Sequence, residues 1–213
     1  MAFNAPQWFS DALTTACADP ALDHDARWPR FLDPEYRCPC CGIASPGLID
    51  MAFDHPDVWP HGSLGPTGEP IMEVGIDRLT TDLCRVKEAH FVRCILPVPI
   101  RGHDGYFCFG PWALLAREHF EDYARSTMEP YPPFEGCEAV LANTLPGANP
   151  REPVPCLLTT AELGSRPALF AHGGPIRQAQ EQGITLDTLL DIYAAAGTDL
   201  RGHLDADPAP EAG

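Results

Sequence analysis

Cys38, Cys40 and Cys41 stand together in the run RCPCCGIASPG at 37–47, the densest group of thiols in the chain. Two thiolates three residues apart on a tight turn, as at Cys38 and Cys41, can face one ion, and Gly42 lets the backbone fold back around it. That is half of a tetrahedral zinc site. The second CxxC that would complete the usual arrangement is absent. Cys84, in the run DLC, is the expected third ligand, with His90 or Cys94 as candidates for the fourth and Cys40 as an extra thiol. The expected cofactor is therefore zinc on Cys38, Cys41 and Cys84. Two other readings of the same residues stay open. One is a reactive dithiol, although no thioredoxin-like βαβ context surrounds the pair. The other is that these thiols are incidental to function.

The remaining chemistry is thinner. Nine cysteines are an odd number, and no basic, apolar leader opens the chain, so a disulfide framework is not expected. Cys94, Cys108 and Cys137 lie in strand-like runs and read as small buried apolar residues. No residues are expected to be catalytic. Cysteines and histidines are numerous enough that a nucleophilic dyad can be drawn anywhere, and LGPTGEP lacks the lysine of a phosphate loop. Two ligand-binding candidates remain. Arg93 interrupts the apolar strand HFVRCILPV, where it must reach water or an acid. Its alternatives are a structural salt bridge and a ligand anchor. Trp112 follows the Gly110–Pro111 break and is either core or a binding-surface aromatic.

These residues need a scaffold. Residues 1–35 read as an N-terminal appendage with one amphipathic helix from Gln7 to Cys17, followed by a Pro/Asp-rich connector. Residues 36–197 read as a single domain. Within it LCRV, FVRCILPVPI, YFCFGPWALL, CEAVLANTL, CLLTTAEL and PALFAH are expected strands, and Gly110–Pro111 marks an edge or a bulge. REHFEDYARSTM, PIRQAQEQ and TLDTLLDIYAAAG are expected helices. In the last, Leu186, Leu189, Leu190 and Tyr193 form an apolar stripe and Thr185 is placed to cap the start. Residues 198–213 are charged and Pro-rich and read as a disordered acidic tail. Strands joined by short turns, then helices, predict an α+β fold: a mostly antiparallel sheet flanked by helices, with a small CxxC turn near the N-terminus.

The motifs CPCCG, TDLCRVKEAHFVRCILPVPI, FCFGPWALL, NTLPG and PIRQAQEQGIT, in that order, resemble the uncharacterised bacterial family DUF2199. The resemblance runs from about 36 to about 196. It implies a fold and a bacterial setting, and no activity. The chain departs from the family pattern at Ser45, where the CxxCG opening continues to a histidine.

Thirty acids against fourteen bases leave a net charge of −16, with Lys87 the one lysine. Nucleic-acid affinity comes from neutralising phosphates, so this field has the wrong sign. It is equally wrong for an anionic membrane surface. No stretch approaches the ~18 apolar residues of a membrane span, and the expected location is the cytoplasm. The expected function is a non-catalytic acidic binding domain engaging a basic protein partner, in an immunity-protein-like or regulatory role, with a structural zinc. The alternative is a metal-dependent enzyme or accessory protein in a small-molecule pathway.

Overall fold

Proline and glycine set the largest feature of the architecture. The computed structural model describes residues 4–64, 70–128, 131–147, 152–159 and 165–205. Within it the long apolar run 89–100 is not one strand but two, β5 (Ala89–Arg93) and β6 (Leu96–Pro99). The run 106–115 likewise divides into β7 (Tyr106–Gly110) and β8 (Trp112–Leu115). Both breaks fall at one level, where the Cys94 amide donates to the Pro111 carbonyl at 2.9 Å. Pro111 has no N–H to continue a ladder, so the paired strands leave one sheet and enter another. The break expected as an edge or bulge is a switch between sheets.

Among the described residues the larger sheet has eight strands in the order β11-β10-β9-β8-β5-β4-β3-β2. Its remaining members are β2 (Ile71–Val74), β3 (Asp77–Thr80), β4 (Leu83–Val86), β9 (Cys137–Leu141), β10 (Pro155–Leu158) and β11 (Leu169–Ala171). Every neighbouring pair in it is antiparallel. The smaller sheet joins β6 and β7 to the short β1 (Met51–Ala52), which pairs with β7 in parallel. The helices are α1 (Gln7–Cys17), α2 (Arg27–Leu32), α3 (Arg117–Ser126), α4 (Gly174–Gln182), α5 (Leu186–Ala195) and α6 (Arg201–Leu204). This is the expected α+β fold, a mostly antiparallel sheet flanked by helices.

The main core lies on the sheet face bearing Val92, Ala113 and Leu141. It closes against Leu96, Val98, Phe107 and Phe109 of the small sheet and against the Leu186–Leu189–Leu190–Tyr193 stripe of α5. Thr185 caps α5 as expected, accepting from the Thr188 amide at 3.2 Å. Gln180 of α4 is fully buried and satisfied. Its side-chain oxygen accepts from the Ala171 amide, and its nitrogen donates to the carbonyls of Pro97 and Leu169. One amide thus binds α4 to an edge of each sheet, which is the condition for burying it without cost.

Both ends of the chain are more integrated than the sequence suggested. Helix α1 packs against α4 and β6. Phe9 is 1% exposed and packs on Phe170 at 5.1 Å between ring centres, and Trp8 stacks beneath the Arg177 guanidinium. At the other end, residues 198–205 are not a structureless tail. Leu200 and Leu204 are buried, and the Arg30 side chain donates to the Leu204 carbonyl at 2.6 Å. The part of the expected tail beyond 205 lies outside the described residues. Among the described residues, no helix is long and apolar enough to cross a membrane.

Candidate metal centre

The run 37–44 forms a knuckle held by its own backbone. Arg37 and Ala44 form a bridge, the Cys38 amide donates to Ile43 O at 2.9 Å, and the Gly42 amide donates back to Cys38 O at 2.8 Å. Gly42 sits at φ 75°, a left-handed conformation that a Cβ would strain. This turn aims Cys38, Cys40 and Cys41 at one point. The fourth group comes from the far end of the chain, since α6 packs by α2 and brings in His203. The Tyr36 hydroxyl donates to the His203 carbonyl at 2.8 Å and fixes its backbone.

The ligand atoms of Cys38, Cys40, Cys41 and His203 all lie within 4.8 Å of one another. Cys38 is buried, Cys40 and Cys41 are exposed, and His203 is intermediate. The Cys41 sulfur is 3.3 Å from His203 Nδ1, and the Cys38 and Cys40 sulfurs are 2.9 Å apart. Four-coordinate zinc with Zn–S bonds near 2.3 Å would set its ligands about 3.8 Å from each other. The cluster is of that size, and three sulfurs with one imidazole are a donor set that suits zinc. The Cys40 contact, aided by His203, pulls the Cys38 thiol down to about 6, and Cys38 in turn pushes Cys40 up to about 11. A ready thiolate at Cys38 favours a cation.

Two of the three expected ligands, Cys38 and Cys41, belong to this group, and Cys84 does not. It is buried with Trp59, Leu79, Phe91 and Trp112 in a separate apolar cluster on the second face of the large sheet. Burial, with Asp77 nearby, pushes its thiol up to about 12, the state of a core residue rather than a thiolate ligand. His90 and Cys94, the candidates for the fourth place, are also elsewhere, in β5 and at its end. Cys94, Cys108 and Cys137 are buried, as expected of small apolar residues. The two members of the cluster not anticipated are Cys40, taken as surplus, and His203, assigned to the tail. The pair Leu200 and Leu204, four residues apart around RGH, was the one local sign that this segment docks. Ser45, which follows the CxxCG run, is turned away from the cluster. Its hydroxyl donates to Phe31 O at 2.7 Å.

The two ligand-binding candidates lie together on the second sheet face, paired across β5 and β8. Trp112 is fully buried, its indole N–H donating to Phe53 O at 3.1 Å, so it offers no surface to a partner in this conformation. Among the described residues the Arg93 side chain makes one long contact, to Thr81 O at 3.4 Å, and its Nε has no partner. The acid beside it, Asp82, is taken by Arg166 at 2.7 Å. Burial, and then Arg166, lower the Arg93 pKa, against the pull of Asp82 and Asp54.

Fold and site together define a mostly antiparallel α+β domain with a candidate Cys3His metal centre between the 38–41 turn and α6. The chain belongs to the family DUF2199, described as an uncharacterised protein conserved in bacteria, whose model matches residues 37–184. No curated protein and no solved structure matches it. The family segment holds the three cysteines, while His203 lies outside it.

Proposed function

We propose that this protein is a non-catalytic binding domain that engages a basic protein partner, on a scaffold closed by a structural zinc on Cys38, Cys40, Cys41 and His203. The observation that carries the reading is the completeness of the donor set: four candidate ligand atoms lie within 4.8 Å of one another, and an ion held tetrahedrally by all four would have no position left for water or substrate. Catalytic zinc sites keep such a position open. The ligands also come from residues 38–41 and 203, so the ion's work is to hold the C-terminal turn against the knuckle. The net charge of −16 suits a basic partner, whose approach it would steer.

The test is cobalt substitution of purified protein. The expected spectrum is that of a four-coordinate thiolate-rich site, and azide or cyanide should leave it unchanged. A spectrum that shifts on adding either anion would mean an open position and would restore the metal-dependent enzyme as the better reading. Protein with less than about 0.2 equivalents of any transition metal, prepared without chelator, would end the zinc proposal.

A further inference from the structure

The two faces of the large sheet are finished differently. Val92, Ala113 and Leu141 face the main core, whereas the row Phe91–Leu114–Val140, in register across β5, β8 and β9, faces the other way. Val86 and Ala89, paired at the end of the β4–β5 hairpin, extend that row. Trp59 and the loop around it cover one part of this face. The rest is the floor of an open cleft of about 570 Å³, walled by the Asp57–Val58 loop, Asn143–Thr144 and Glu152–Val154.

An antiparallel sheet with one wet face is expected to put polar residues there. Here Val86, Ala89, Leu114 and Val140 are instead half-buried, and Val58 at the rim is 59% exposed. The ionisable residues among the described lining are two acids, Asp57 and Glu152, and no base. Asp57 is locked in place, accepting from the Asn143 side chain at 2.9 Å and from the Thr144 amide at 2.7 Å. Neither contact neutralises its charge. An apolar floor with an acidic rim is complementary to an extended segment that carries apolar side chains flanked by arginine or lysine.

We infer that this cleft is the docking site for such a basic, apolar segment of a partner protein. The inference rests on the binding-domain reading and names the surface and the chemistry of its partner. It does not depend on the metal, so zinc content measured on the same preparation separates a failure of the scaffold from a failure of the cleft.

The test pans a random 12-residue peptide display library against the full-length protein and measures the synthesised leading peptide by fluorescence anisotropy. Val140→Asp puts a charge on the floor, and Glu152→Lys reverses the exposed rim. Circular dichroism melts establish that each variant is folded, and Glu152→Lys carries the test if Val140→Asp is not. The expected peptides are net positive with two or three apolar residues. They should lose about tenfold in affinity on Val140→Asp and a few-fold on Glu152→Lys, and bind more weakly as salt rises. Enrichment of neutral or acidic peptides, no enrichment, or equal binding to the folded variants would overturn the proposal. So would sedimentation of the wild type as a dimer that Val140→Asp renders monomeric, because a second copy would then be the occupant.

Discussion

Cys40 and Cys84 invert the roles that spacing alone suggested for them, and they separate the two versions of the metal site. If zinc sits where the four ligands converge, Cys38→Ser, Cys40→Ser, Cys41→Ser and His203→Ala each lower bound metal and thermal stability together, because structural metal binding is folding free energy. Cys84→Ser should leave the metal at full occupancy and disturb only the packing around Trp59 and Trp112. Elemental analysis beside a thermal melt reads both quantities. Acidity adds a second expectation. Near pH 7 the Cys38 thiol of metal-free protein is ionised, since its pKa is depressed to about 6, whereas Cys40, raised to about 11, is protonated. Zinc must then displace a proton from Cys40 and none from Cys38, so affinity falls as pH drops. Below about pH 6 Cys38 competes for a proton as well, and the decline should steepen. Calorimetry in buffers of different ionisation enthalpy counts those protons, and a pH-independent affinity would contradict the assignment. Introducing Ser45→His should not tighten the site, because the Ser45 side chain is directed at Phe31 O.

At the scale of elements, the ends of the chain carry the clearest expectations. Phe9→Ala should cost about 3–5 kcal/mol, the usual penalty for emptying a buried aromatic site, because α1 packs its ring on Phe170. Removing residues 200–213 should lower the melting temperature measurably. It strips out buried Leu200 and Leu204, the acceptors for Arg30 and Tyr36, and His203 of the candidate metal centre. Leu204→Ala alone should cost about 2–5 kcal/mol in chemical denaturation. If an ion sits in the cluster, chelating it should also raise hydrogen exchange across α6 well before it affects β5 or β8, because a four-residue helix that loses one of its anchors frays more readily than a central strand. Unchanged protection at 200–205 after chelation would mean that apolar docking suffices.

For the whole molecule, the charge of −16 predicts no measurable affinity for duplex DNA or RNA at physiological salt, and micromolar binding in a filter assay would refute this. The same scale shows where reading the chain alone stops. Local signals were sufficient for the α5 stripe and its Thr185 cap, for helix α3, for the turn at 37–47 and for the antiparallel class, because each depends on neighbours within a few residues. The motif order likewise carried the family, DUF2199. Register across strands, the switch of sheets at Pro111 and the burial of Trp112 were not legible, since they depend on residues far apart in sequence. The candidate metal centre divides along the same line. Cys38 and Cys41 are close through four residues of chain, so their spacing revealed them. His203 reaches them only because Leu200 and Leu204 bury themselves and Tyr36 holds the turn's backbone, across more than 160 residues. Spacing could mark half of the site; only the packing of the two ends of the chain against each other could supply the other half.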